Sequence, residues 1–327
     1  MGETALRKIQ AGLETVRGTD IASTRKVYAT GKMTKSIALI RPDEDRGTFI
    51  KNYRSSLGIV EAAFPVEGGC SFEDLAWWFQ LALKGGVVGV VRGVTAYDYV
   101  FTPSSTVDDV KSATFEWGDN TQAFQMTYGM VESFEIEGSL NSNWKFTANV
   151  VGSDMATTTF TGAIGDRTVE DVSTYLSKLA LGPAGAVPST YMTARFIKFK
   201  ISIKNTFSRK YFADGTSPAL GGIGRGKREI STEMDFEGNA GTLAERGVWE
   251  AGTKRVARIT ATGNPITGST GPILKTVDIV LPGVWDAYEI GERATNTIFT
   301  ATLMSEYDVT LAHDFSATVT NGLSTLV

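Results

Sequence analysis

One cysteine, Cys70, and one histidine, His313, are all that a chain of 327 residues carries. A lone thiol excludes an internal disulfide framework and any cysteine-built metal cluster. A lone imidazole excludes His-pair chemistry and most zinc sites, which draw several nitrogen or sulfur ligands together. No stretch approaches the roughly 18 consecutive apolar residues of a membrane-spanning helix. The opening MGETALRKIQAGLETV lacks the apolar core of a secretory signal. A basic excess is also missing: the formal net charge is −4 and the pI near 5.3. Duplex-binding surfaces rest on such an excess. Proline is scarce, at 9 residues against 35 glycines, a balance that suits many turns between short strands. These absences predict a protein made in a reducing, aqueous compartment, with no cofactor, no metal and no membrane contact.

Catalytic signatures are equally thin. GGIGRG at 221–226 does not satisfy G-x-G-x-x-G, and it enters a strand instead of leaving one for a helix. There is no Walker motif and no G-x-S-x-G elbow. His313 and Asp314 are adjacent, but a triad needs a nucleophile and an orienting partner beside them. Asp43, Glu44 and Asp45 form a small acidic cluster that reads as a solvated loop. Cys70 precedes a helix start, where a thiolate is stabilised, but it has no histidine nearby in sequence. The chain reads as a non-enzyme.

What is present is alternation. In RFIKFKISIK (195–204), Ile197, Phe199, Ile201 and Ile203 take one face, and Lys198, Lys200, Ser202 and Lys204 take the other. In REISTEMDFE (228–237), Ile230, Thr232, Met234 and Phe236 alternate with Ser231, Glu233 and Asp235. Period two with one apolar side marks half-buried strands. One shows lysines outward, the other acids, so the two can pair charges across a sheet at ~0.2–1 kcal/mol per pair.

The same order of elements recurs along the chain. Residues 1–30 read as an N-terminal arm. KSIALI (35–40) is a short strand, 41–58 a long polar loop, and IVEAAFPVE (59–67) the returning strand. Ser71 caps a helix whose Phe72, Leu75, Ala76, Phe79, Ala82 and Leu83 follow helical spacing, with Gly85 as its stop. Trp77 and Trp78 widen its apolar face, so cover is expected from its own sheet and from a neighbouring subunit. Strands follow at 97–101, 113–117, 121–137 and 144–151, with a bulge at Gly129. A second helix is expected over 169–181, capped by Thr168 and ended by Gly182-Pro183. The linker GPAGAVPST leads to a second round: strand 195–204, loop 205–227, strand 229–237, a short helix at 241–251, and strands at 254–261, 273–280, 295–304 and 315–320. The expected division is an arm (1–30), a first β unit (31–165), a helix and linker (166–190) and a second β unit (191–327). A repeat near 160 residues is a domain duplication and not a solenoid. The fold class expected is mainly β: two fused β-sandwich or barrel units, each with a flanking α-helix.

LETVRGTDIAST, GGCSFEDLAWWFQLAL, FEWGDNTQAFQMTYGMVESFEIEGS, GKREISTEMDFEG, GTKRVARITATG and VDIVLPGVW together resemble the tail tube (major tail) proteins of long-tailed, non-contractile bacteriophages. The resemblance covers most of residues 5–320. It implies rings whose inner sheets close into one β-barrel, stacked into a hollow tube through which the genome passes. A duplicated chain implies a homotrimeric, pseudo-hexameric ring in preference to a homohexamer. The implied partners are further copies of the chain, a tape-measure protein, a tail terminator and tail-tip or baseplate proteins. DNA transits without specific binding, and the protein resides in the virion tail after assembly in the bacterial cytoplasm. Within this frame, Lys198, Lys200, Ser202, Lys204, Ser231, Glu233 and Asp235 are candidates to face the lumen. The inter-ring candidates lie in the two long loops: Arg41, Asp43, Glu44, Asp45, Arg46, Tyr53 and Arg54 in the first, Arg209, Lys210, Tyr211, Asp214, Arg225 and Lys227 in the second. The inner tube of a contractile machine, and a receptor- or carbohydrate-binding tail module, are the alternative readings.

Overall fold

The computed structural model describes residues 2–107, 110–193, 195–213, 218–269 and 271–326. The chain is mainly β. Its strands in order are β1 (Lys8–Leu13), β2 (Arg25–Lys26), β3 (Thr30–Gly31), β4 (Thr34–Ile40) and β5 (Ser56–Gly69), followed by helix α1 (Leu75–Ala82). Then come β6 (Val90–Arg92), β7 (Ala96–Phe101), β8 (Ala113–Gly118), β9 (Ala123–Ser139), β10 (Lys145–Gly152), β11 (Met155–Thr158) and β12 (Ser177–Pro183). β13 (Phe196–Lys210) and β14 (Gly222–Glu237) precede helix α2 (Ala240–Glu250), and β15 (Arg255–Pro265), β16 (Leu274–Arg293), β17 (Asn296–Ser305) and β18 (Ser316–Asn321) complete the chain.

The organising feature is a continuous antiparallel run, β4-β5-β10-β9-β13-β14-β17-β16. Alternation makes it two-faced. Phe64, Phe134, Phe146, Ile201, Met234 and Ala301 point to a buried side and are all at most 2% exposed. Their sequence neighbours point to the other, polar side. The run is an open sheet and not a closed barrel: among the described residues, β4 pairs only with β5, and 285–293 of β16 pair only with β17.

β9 joins this run to the outer strands. Its first half pairs with β8 and β11 and its second half with β10 and β13. The register skips between Ala113 and Phe115 on β8. The residue in the left-handed region there is Tyr128, with φ 59°, and not Gly129. Gly129 is needed for a different reason. A Cβ at that position would lie 2.6 Å from the Ala113 carbonyl oxygen. The backbone N–H of Tyr128 donates to Glu14 Oε1 at 2.8 Å, which holds the bulge in place.

Apolar side chains on both sides explain α1, since all eight of its residues are buried. Trp78 packs on Phe134 and Phe146 of the long run and on Phe115 of β8, at ring-centroid distances of 5.9, 4.9 and 6.4 Å. The chain's own two layers therefore cover this helix, and no neighbouring subunit is required. Ser71 does not cap it as expected but closes the turn just ahead of it: Oγ accepts from the N–H of Asp74, the N-cap residue, at 3.0 Å, and Asp74 itself makes no side-chain cap. The Asp74 carboxylate in turn holds the buried Arg25 and, at 2.7 Å, Arg167. Burial pulls the Arg25 guanidinium down to about 10 while Asp74 opposes the shift, so it stays charged near neutrality.

Helix α2 follows β14 as α1 follows β5. Asn239 and Thr242 form a reciprocal capping box at its start. Asn239→Ala is expected to lower stability by about 0.5–2 kcal/mol, read as a shift in a thermal or urea melt.

Three expectations are corrected. The N-terminal arm is part of the sheet: β1 pairs with β8 along its whole length, and Ile9 and Ala11 are buried. The helix expected over 169–181 is absent. Val172 and Leu179 are buried as that pattern requires, but the backbone is extended, broken only by a short 3-10 turn at Thr174–Leu176. Backbone partners override helical spacing there: Val172 bonds Cys70 and Trp144, and β12 completes the edge of β15. The loop expected over 205–227 is mostly strand, because β13 and β14 continue as a paired ribbon to Lys210 and Gly222. Residues 222–226 of GGIGRG lie within β14 of this ribbon.

Candidate functional site

The polar face of the long run carries the chemistry. Opposite residues in the β13–β14 ladder include Lys198 and Asp235, Lys200 and Glu233, Ser202 and Ser231, and Lys204 and Glu229. The lysines choose partners both along and across strands. Lys198 Nζ lies 3.4 Å from Glu233, Lys200 Nζ 3.0 Å from Glu135 of β9, and Lys204 Nζ 3.9 Å from Glu229. Ser202 Oγ donates to Glu135 Oε1 at 3.0 Å, and Thr300 Oγ1 donates to Asp235 Oδ1 at 2.9 Å. Each ion-paired side chain is more than a third exposed, so each pair contributes only ~0.2–1 kcal/mol. Stability does not explain such a ladder. Its effect is to bind down Lys198, Lys200 and Lys204, the lysines of the inner part of β13.

By alternation, the same face carries Glu61 and Glu67 of β5, Glu135 and Glu137 of β9, Glu229, Glu233, Asp235 and Glu237 of β14, and Glu289 of β16. Against these stand Lys145 of β10, Lys198, Lys200, Lys204 and Lys210 of β13, Lys227 of β14, and Arg293 of β16. Carboxylates outnumber cations, so a polyanion meets a surface that repels it in sum.

The β13–β14 ribbon reaches back over the first half of the chain. Asn205 Nδ2 donates to the Ala82 and Val131 carbonyls, both at 3.0 Å, and Asn205 Oδ1 accepts from Arg225 at 2.9 Å. Arg209 pairs with Glu61 at 3.1 Å, and the Tyr211 hydroxyl donates to Glu61 Oε1 at 2.7 Å. Burial, and then that hydrogen bond, push the Tyr211 hydroxyl up to about 12, while the same bond draws Glu61 below the usual carboxylate range. The Pro218 carbonyl accepts from the Val60 N–H at 3.0 Å. Arg209, Tyr211 and Arg225 thus serve contacts within the chain. Lys210 and Lys227 are exposed on the ribbon, and Asp214 lies outside the described residues. Asn205→Ala leaves two buried carbonyls without their donor and is expected to cost about 1–3 kcal/mol, measurable by urea unfolding.

The loop 41–55 is organised on Glu44, which binds Arg46 at 2.6 Å and Arg54 at 2.5 Å. Arg46 stacks 4.4 Å over the Tyr53 ring, and Thr48 bonds the Tyr53 hydroxyl. Arg41, Asp43 and Asp45 are exposed, as are Phe49 and Ile50 at the tip.

The edges of the long run were not anticipated. Every residue of β4 is exposed, including Ile37 and Leu39, and Ile290 of β16 is 60% exposed. KSIALI is legible as a strand, but no spacing in sequence says that it will be an edge.

The catalytic candidates come to nothing specific. Cys70 is buried, and burial pushes its thiol well up, away from the reactive thiolate. Asp314 is bound by Arg228 at 3.3 Å, and burial lowers His313. Among the described residues no three or more His, Cys, Asp or Glu side chains are placed to hold a metal ion, and no helix is long and apolar enough to cross a membrane.

No curated protein matches the chain. A family model described as phage tail tube protein matches residues 4–294.

Proposed function

The chain belongs to the phage tail tube protein family, a structural family of the virion tail, and we propose that it self-assembles into stacked rings that form the conduit for genome delivery. One observation carries this reading: an antiparallel run with one polar, net-acidic face ends, among the described residues, in two open edges, β4 and residues 285–293 of β16. Open edges invite further strands. Closing them around a ring removes the liability and produces a barrel. The buried face, with α1 and α2 behind it, then forms the wall, and the polar face lines the lumen. Lys198, Lys200, Ser202, Lys204, Ser231, Glu233 and Asp235 are the lumen residues in this reading. Their lysines are neutralised in place, so DNA slides past without specific binding.

Residues 31–165 and 191–327 act as two tube units, each supplying four strands of the run. A ring of three chains with pseudo-sixfold symmetry follows from that division. Rings stack head to tail through a heterologous contact that has no intrinsic end. The loop 41–55, with Phe49 and Ile50 at its tip, is the leading inter-ring contact. Tail length then falls to a tape-measure partner, and the two ends to terminator and tip proteins.

Negative-stain microscopy of the purified protein tests the reading. Tubes with a central channel are expected, and the mass of a released ring should equal three chains. A protein that stays monomeric under all assembly conditions overturns it.

A further inference from the structure

We infer that β16 of one protomer pairs with β4 of the next, in a register that sets Ile290 opposite Ile37. The inference rests on the ring-forming reading above and specifies its seam. The template lies inside the chain, where β9 of the first half meets β13 of the second.

The two halves can be aligned through their strands. Val66 of β5 and Phe236 of β14 are both buried, and each is followed by Glu-Gly on the way to a helix: Glu67-Gly68 and Glu237-Gly238. From Val66 the ladder runs across to Ala148, then Phe134, then Ile203 of β13. From Phe236 it runs to Phe299 and then to Ile290, where it stops. Ile290 therefore stands where Phe134 stands, without its neighbour. The missing neighbour can be read from the other hairpin. Ile203 faces Ile230, which precedes Phe236 by the same spacing that separates Val60 from Val66. Val60 faces Ile37. Ile37 is thus the counterpart of Ile203.

Burial agrees with the assignment. At the internal junction Phe134 and Ile203 are 0% exposed, whereas Ile290 and Ile37 are 60% and 46% exposed. Strand direction agrees too. An even number of antiparallel strands leaves its two edges running oppositely, so a head-to-tail junction is antiparallel, as β9–β13 is. Charge is compatible: stepping along from Ile290, Glu292 falls opposite Lys35 of the next protomer, whose Nζ also pairs with its own Asp154 at 2.6 Å.

The test is a cysteine pair, Ile37→Cys with Ile290→Cys, in the full-length chain assembled into tubes and then mildly oxidised. Directly opposed antiparallel residues have Cα separations of about 4.5–5.5 Å, inside the span a disulfide bridges. The native Cys70 is buried, and the unmutated tube supplies the background. Covalent oligomers ending in a closed trimer are expected on a non-reducing gel. The pair Leu39→Cys with Ile290→Cys, out of register, should link far less. If the double variant does not assemble, the two single variants mixed with unmutated chain should give covalent dimers and nothing larger. Tubes that form normally but cross-link better out of register, or not at all, overturn the seam while leaving the tube reading intact. Failure of the unmutated protein to form tubes overturns that reading instead.

Discussion

Trp78→Ala is expected to remove about 3–5 kcal/mol of stability, the range for truncating a large buried aromatic, and with it most of the soluble, assembly-competent protein. Trp78 is 1% exposed and touches three aromatic rings from three strands in two layers. The indole fills the space between the long run and β8, and α1 gives neither layer enough slack to collapse into the gap. A loss of that size is a large part of the roughly 5–15 kcal/mol that holds an ordinary domain together. Trp249→Ala makes the comparison. That ring sits on the partly open helix α2 and stacks on Tyr288 at 6.4 Å. A smaller loss is expected, with assembly retained. Thermal melts of both variants, read beside the yield of tubes, check the ranking. Equal losses would show that α1 does not anchor the two layers.

The β13–β14 hairpin was legible from sequence because everything needed to read it is local. Apolar residues at every second position fix the buried face, and acids and bases on the other face find each other once the strands pair. Lys200 shows where that legibility stops. Its nearest carboxylate is not in the opposite strand of its own hairpin but Glu135, far away in the chain. The helical spacing of α1 and the existence of a short helix near 241–251 were likewise written in short stretches. The region 169–181 misled because Val172 and Leu179 satisfy helical spacing and strand burial equally well. What decided between them was the free edge of β15, which no local pattern encodes. The same limit hid the length of β13 and β14. Their outer halves are rich in Gly, Arg and Lys and look like a loop, but each has a partner strand and a base to rest on in Asn205 and Glu61.

The candidate site divides in the same way. Which side chains share the polar face could be read from alternation alone. Which strands end the sheet could not, since an edge is defined by the absence of a neighbour. KSIALI is as apolar as a central strand yet every one of its residues is exposed, which fits the proposed seam with a second copy of the chain. Ile290 poses the same question at the far end of the run. Apolar residues on open edges are a hazard for a monomer and an asset for a subunit that must polymerise.

Charge reversal on the polar face is expected to separate assembly from delivery. In Glu135→Lys, Glu233→Lys and Asp235→Lys combined, each change replaces a negative charge with a positive one on the surface assigned to the lumen. It also leaves Lys198 and Lys200 without the carboxylates that neutralise them. The pairs lost are worth ~0.2–1 kcal/mol each because they are exposed. The fold and the tube should therefore survive, apart from some weakening at low salt from lysine–lysine repulsion. DNA meets a different wall. A polyanion passing a row of unpaired lysines gains phosphate contacts, each releasing counterions, and its grip on the surface rises steeply as salt falls. Phage carrying the variant should show normal tails by microscopy and a loss of plaque-forming titre of several orders of magnitude, with ejection stalled partway. Purified variant tubes should retain duplex DNA at low ionic strength and release it as salt is raised, while unmutated tubes retain none at either. The conservative set Glu135→Gln, Glu233→Gln and Asp235→Asn removes the negative charge without adding positive charge, and should fall between the two. Full infectivity in the lysine variant, with tubes that ignore DNA at low salt, would mean that this face does not line the channel.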